Sequence, residues 1–265
     1  MNATALRPVG DLLREWRQRR RLSQLDFAVE AEISSKHLSF LETGRSRPSR
    51  EMLLKLSELL EVPLRERNSL LIAAGFAPMF TERKLDDPSL QAARDAMELV
   101  LKGHEPYPAI AVDRHWTLLA ANRAVAPMLT DIKPELLAAP MNVLRASLHP
   151  DGLASRIVNL GQWRAHIFAR LRRQIEVSAD PVLTSLLEEL SDYPAPAHPN
   201  HRDRNEITNA FVVPMRLATP MGVLSFISTT TVFGTPIDVT LSELALESFF
   251  PADAVTAAAL RQMPL

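Results

Sequence analysis

The sequence predicts two domains of different class. An all-α unit of five short helices spans residues 8–75, an α+β unit with an antiparallel sheet and helical cover spans 91–265, and 76–90 links them. Three observations carry this. Over the first 75 residues, apolar side chains recur at three- and four-residue spacing between hydroxyl caps and glycine stops. From Phe76 to about Pro88 ("FAPMFTERKLDDP") that pattern loosens. Beyond it, strand-like runs lie on either side of a helical middle.

The first helix is expected from about Val9 to Arg20, with Leu12, Leu13 and Trp16 on one face. Ser23 caps "QLDFAVEA", with Asp26 three residues on as a short capping-box acid. Ser34 caps "SKHLSFLET", and Gly44 ends it in a position suited to positive φ. Pro48 and Ser49 introduce "REMLLKLSELL", and a last helix runs from Pro63–Leu64 to Gly75. In the second domain, "AIAVDRHWTLLAAN" reads as two strands around Asp113–Arg114–His115, with Asn122 capping "RAVAPMLTD". Residues 134–192 read as helical, including "ASRIVNLGQWRAHIFARLRRQIEV" and "DPVLTSLLEELSDY". A Pro-rich loop at 193–205 precedes strands at 206–217, 222–233 and about 238–250, the first two joined through "ATPMG", and a final helix.

Composition narrows function. The chain has 265 residues and a net charge of −1, so no global field points to nucleic acid. Residues 7–50, however, hold 10 Lys/Arg against 6 Asp/Glu. The absence of Cys excludes disulfides, thiol catalysis and Cys-based zinc sites, and fits a reducing cytoplasm. The N-terminus reaches charge too early for a signal peptide. The apolar run at 70–80, broken by Gly75 and Pro78, is too short to span a bilayer, so no membrane association is expected.

Residues 23–44 carry what a DNA-reading helix requires: a bracing helix, a short turn and exposed residues at the reading helix's N-terminal end. Leu25, Ala28 and Val29 are expected to face inward, with Ala31–Glu32–Ile33 as the turn and Leu38 and Leu41 pinning the reading helix. Ser35, Lys36, Ser39 and Phe40 are left outward. Gln24 can donate to phosphate, and Arg45, Arg47 and Arg50 follow where the chain would exit beside the DNA backbone.

This stretch resembles the XRE/Cro family of helix-turn-helix regulators, through "R-x-x-R-x-L-S-Q", "S-x-x-x-L-S-x-L-E-x-G" and "R-x-x-P" in order. The resemblance implies a lambda-repressor-like fold and double-stranded operator DNA as partner. It places Gln24 and the backbone near Thr43 on phosphate, and Ser35 and Lys36, beside the capping Ser34, at the main base-reading positions. Lys36 suits guanine O6/N7. Phe40 occupies a third position, where it offers an apolar contact to a base or packs on a neighbouring module. Arg17 and Glu42 match the family's structural ion pair. One such module binds weakly, so a homodimer on paired half-sites is expected.

In the second domain, "AVDRHWTLLAANRAVAPML" resembles the opening of a PAS domain. With "LHPDGL", "WRAHIFARLRRQ", "YPAP" and "VLSFISTTTVFGTPIDVTLSELALESFFPAD", the chain resembles the MmyB-like transcriptional regulators almost end to end. That resemblance implies a bacterial regulator whose PAS-like domain binds a small apolar ligand, a fatty acid being the suggested class, and no other cofactor. Trp116, Trp163, Phe211, Phe226 and Phe249 are candidate pocket residues, with Phe233 and Phe250 as further apolar material. Arg164 is a candidate partner for a ligand carboxylate. A second reading keeps DNA binding and makes the C-terminal domain only a dimerisation or partner module of a constitutive repressor.

An enzyme is not expected. His198, His201 and Asp203 form H-x-x-H-x-D, but in a Pro-rich loop beside Arg202 and Arg204, whose charges oppose a cation. His104 and His149 lack a catalytic partner, and no G-x-S-x-G, G-x-G-x-x-G or P-loop is present.

Overall fold

The computed structural model describes residues 7–194, 213–234, 236 and 238–264. It divides into two compact units, one made mainly of the chain up to Lys84 and the other mainly of the chain from Leu85 on.

In the first unit, α1 (Val9–Arg19), α2 (Gln24–Glu30), α3 (Ser35–Glu42), α4 (Arg50–Leu59) and α5 (Leu64–Ala73) surround one core. Ser23, Ser34 and Ser49 each accept a backbone N–H from the first turn of the helix they precede, at 3.1 Å. After the helices come Arg21, Glu32, Gly44, Glu61 and Gly75, all at positive φ. Each therefore reverses the chain in the left-handed conformation that lets a helix's last carbonyls be satisfied. The core comprises Leu13, Trp16, Phe27, Leu38, Leu41, Leu53, Leu56, Leu70 and Leu71 among others. Each large side chain so buried contributes about 1.5–3 kcal/mol.

One inward assignment is corrected. Leu25 and Val29 are 64% and 69% exposed, and Phe27, Ala28 and Ala31 take the core side instead. At about 100° per residue, Leu25 and Val29 lie about 160° and 200° around the helix from Phe27. Burying the phenyl ring therefore turns both away.

The second unit holds a five-stranded antiparallel sheet among its described residues, in the order β2-β1-β5-β4-β3. The strands are β1 (Ala109–Val112), β2 (Leu118–Ala121), β3 (Met215–Thr219), β4 (Gly222–Val232) and β5 (Ala245–Pro251). α6 (Gln91–Gly103) precedes the sheet, and α7 (Pro134–Leu137), α8 (Val143–Leu148), α9 (Leu160–Ser178) and α10 (Pro181–Asp192) form the middle. The C-terminal helix is Ala254–Gln262. Strand alternation divides the sheet's residues between two clusters. Ala109, Ala111 and Leu246 join Met97 and Leu101 of α6 in one. Ile110, Val112, Leu217, Leu224 and Phe226 join Trp163, Ile167 and Leu171 of α9 and Leu183, Leu186 and Leu190 of α10 in the other.

Three boundaries differ from the sequence reading. The last strand begins at Ala245, because Asp238 accepts the Thr240 N–H at 2.9 Å and starts a helical turn over Val239–Ser242. The strand expected at 206–217 appears as Met215–Thr219, and 206–212 lie outside the described residues. Asn122 makes no side-chain cap for the 3-10 helix Arg123–Leu129. Its amide instead accepts from Ala109 N and donates to the carbonyls of Leu101 and Tyr107, bonds that tie the end of α6 to β1.

Candidate nucleic-acid interface and ligand cavity

The reading helix is held from beneath. Leu38 and Leu41 are fully buried, and between them and the next turn lies Glu42, 1% exposed. Arg17 grips Glu42 with two parallel bonds, Nε to Oε1 at 2.6 Å and Nη2 to Oε2 at 2.9 Å, while its Nη1 donates to the Leu22 carbonyl. Gln24 donates its amide to Glu42 Oε2 at 2.7 Å, and Arg14 lies 3.6 Å from the same oxygen. Burial pushes the Glu42 carboxyl up, but the bonds from Arg17 and Gln24 and the charges of Arg17 and Arg14 outweigh it and hold it below its ordinary value. Glu42 is thus a scaffold carboxylate, fully neutralised inside the domain. Gln24 has one of its two amide N–H groups engaged there.

The outer surface is different in kind. Ser34, Ser35, Lys36 and Thr43 are exposed, and Ser39 and Phe40 are half-buried. Ser34 accepts from His37 N, and Thr43 closes its hydroxyl onto the Ser39 carbonyl at 2.7 Å. Lys36 Nζ and the Arg45 guanidinium each sit 5.7 Å from the Phe40 ring centroid. Phe40 is therefore neither core nor a bare surface ring; it braces two cations. Gly44, at φ 72°, turns the chain so that Arg45, Arg47 and Arg50 emerge exposed around the buried Pro48.

The cations of this region divide into two groups. Arg7, Arg14, Arg17 and Arg19 face carboxylates, and Arg20 caps the end of α4 through the Leu60 and Glu61 carbonyls. Lys36, Arg45, Arg47 and Arg50 make no ion pair among the described residues, although the Arg50 charge acts on the neighbouring Glu51 carboxylate. These four exposed cations run along α3, its exit and the start of α4, an arrangement suited to phosphate.

In the second unit a cavity of about 120 Å³ lies among α8, α9 and the sheet. Its apolar wall includes Ile110, Trp116, Val125, Met128, Leu144, Trp163, Ile167, Met215, Phe226 and Phe249. Of the residues expected there, Trp116, Trp163, Phe226 and Phe249 line it, and Phe211 lies outside the described residues. Phe233 and Phe250 do not contribute to the wall.

Trp116 reaches the cavity at a conformational cost. It holds φ 67°, in the left-handed region that bulky residues avoid. Asp113 maintains the turn by accepting from His115 N and Thr117 N, both at 2.8 Å. Strain of this kind costs about 1–3 kcal/mol and is found where a side chain must be aimed.

Arg164 is not a cavity residue. It donates to the carbonyls of Ser191, Tyr193 and Pro194, and so caps the C-terminus of α10. The reason is helical phase. From Trp163 the inward positions are three, four and seven residues on, namely His166, Ile167 and Arg170, and all three line the cavity.

The cavity's polar end was not anticipated. Arg170 stacks over the Trp116 ring at 4.5 Å. It bonds both carboxylate oxygens of Glu247, one of them at 2.9 Å, and donates to Thr230 Oγ1 at 2.6 Å. Glu247 is 3% exposed and also accepts from Thr230. The β4–β5 register pairs Thr230 with Glu247 and Ser228 with Phe249, so alternation turns these side chains to the cavity face. His166 stacks on Trp163 at 5.4 Å. Burial, and after it the Arg170 charge, hold the imidazole below its ordinary pKa, so it is neutral at pH 7. The α9 period could have located His166 and Arg170. Glu247 was hidden because it reads as a solvated charge between apolar residues.

Comparison with known families matches both domains. Residues 93–263 match the MmyB-like transcription regulator ligand binding domain, and residues 8–70 match a helix-turn-helix domain. No curated protein matches the chain. No described helix is long and apolar enough to cross a membrane. Among the described residues no three His, Asp or Glu are grouped to hold a metal, and His198, His201 and Asp203 lie outside them.

Proposed function

The chain belongs to the MmyB-like transcription regulators, and we propose that it binds operator DNA as a homodimer through α3 and its exit, with a small apolar ligand in the C-terminal cavity modulating that binding. It is a DNA-binding transcription regulator with a ligand-binding domain; the assignments of residues, ligand class and coupling are ours. What carries the DNA reading is the row of exposed cations without an ion pair, Lys36 on α3, Arg45 and Arg47 in its exit and Arg50 at the start of α4, beside a helix whose opposite side is neutralised and packed. Ser35 and Lys36 meet base edges, Phe40 orients Lys36 and Arg45, and the three arginines grip phosphate. A fatty acyl chain is the ligand class the family suggests, and the apolar wall suits it. A domain serving only dimerisation would need no such cavity. Ligand acts by favouring one arrangement of the two reading heads, which requires different affinity for two states.

Mobility-shift titrations test the interface. Lys36→Ala is expected to lower affinity for the operator about tenfold or more and to relax preference at one base pair. Arg47→Ala should weaken all sequences alike and reduce the slope of log K against log salt by about 1. If neither substitution changes binding, α3 is not the reading helix. Native mass spectrometry of the purified chain tests the rest: a dimer carrying a lipid-sized mass is expected, and a ligand-free monomer overturns the sensor reading.

A further inference from the structure

The polar groups of the cavity are unequal, and the difference bears on which ligand it admits. Arg170 is the one guanidinium among the described residues of its wall; its two terminal nitrogens bond Glu247 and Thr230, and its plane lies over the Trp116 ring. Glu247 is an internal carboxylate, 3% exposed, that lines the same cavity and holds the charge of Arg170. The ion pair is neutral as a unit, and a second carboxylate beside it would meet Glu247 at close range with no free cation to offset the repulsion. His166 and Ser228 also line the cavity, and neither side chain has a hydrogen-bond partner among the described residues. A neutral imidazole and a hydroxyl each donate one hydrogen bond and accept another, which suits a hydroxyl, amide or ester and gives no charge complement to an anion.

We propose that the cavity selects ligands with an uncharged polar end, an alcohol, amide or ester on an apolar chain, and that the Arg170–Glu247 pair excludes the free carboxylate. His166 and Ser228 bond the head group, and Trp116, Trp163, Phe226 and Phe249 hold the chain. The inference rests on the reading of this cavity as the ligand site, and it separates an acyl group carried as an amide or ester from the free acid.

The test uses the full chain and three probes of one chain length, octanamide, octan-1-ol and octanoate, titrated by calorimetry at pH 7.5. Octanamide and octanol are expected to bind at least tenfold more tightly than octanoate. Glu247→Gln frees Arg170 and is expected to raise octanoate affinity tenfold or more while changing octanamide less than threefold. Should that variant fail to fold, Arg170→Gln/Glu247→Gln removes both charges together and is expected to reduce the preference for octanamide over octanoate to less than threefold, and an unchanged preference would overturn the role of the pair. Octanoate binding as tightly as octanamide to the wild-type chain would overturn the proposal and leave the cavity as the ligand site. If none of the three probes binds, the cavity reading itself fails, and the proposal with it.

Discussion

Replacing Glu42 by Ala will raise hydrogen exchange across residues 34–50 a hundredfold or more and abolish specific DNA binding. The substitution removes the carboxylate that Arg17 and Gln24 bond and Arg14 approaches, and it leaves Arg17, 7% exposed, as an unpaired buried cation. Breaking one partner of a buried, hydrogen-bonded pair costs about 3–5 kcal/mol, a large share of what a domain of this size holds. The effect is local to the first unit, so exchange measured peptide by peptide reads it better than a whole-chain melt. Peptides from α10 should exchange as in the parent. The same network sets an acid limit. Because the folded Glu42 pKa is depressed, its contribution is present above the unfolded value of about 4.3 and is lost as pH falls through the folded value. Glu42→Gln should flatten that part of the pH profile. A Glu42→Ala chain that kept its exchange protection would show that α3 is held by Leu38 and Leu41 alone.

Gly10→Ala is expected to displace α3 without touching any residue of its exposed face. A β-carbon at position 10 would lie 2.5 Å from the Leu41 carbonyl oxygen and 2.7 Å from that of Glu42. Both are backbone atoms at the end of α3, so no rotamer change relieves the clash, and α1 and α3 must separate. Overpacking of this kind costs about 1–3 kcal/mol. Operator affinity should fall more than non-specific affinity, because base contacts depend on helix position while phosphate attraction tolerates small shifts. Gly103→Ala is the control. It sits at the end of α6 with nothing within 4 Å of the added carbon, and it should be neutral or slightly stabilising. Equal losses for both substitutions would refute the packing argument.

Much of the first domain could be read from its residues, because the signals there are local. Ser23, Ser34 and Ser49 cap the helices that follow them, and Gly44 ends the reading helix at positive φ. Where local signals compete, the sequence was ambiguous. Leu25 and Val29 looked as apolar as their neighbours, and only the burial of Phe27 turned them outward. In the second domain, 238–250 carries the residues of a strand throughout, yet Asp238 bends its first part into a helical turn.

The cavity shows the same division more sharply. Aromatic content and helical period indicated an apolar interior, and four of the expected residues, Trp116, Trp163, Phe226 and Phe249, do wall it. Which arginine faces inward was a matter of phase: Arg164 and Arg170 stand six residues apart on one helix, one capping α10 and the other meeting Glu247. Glu247 and Arg170 lie 77 residues apart in the chain, and no local pattern couples them. By itself, then, the sequence determined the serine caps of the first domain, the class of each domain and the basic exit after Gly44, since each depends on neighbours within a few residues. Folding in three dimensions decided which charges are bridged and which are not, because ion pairing depends on distance through space and not along the chain.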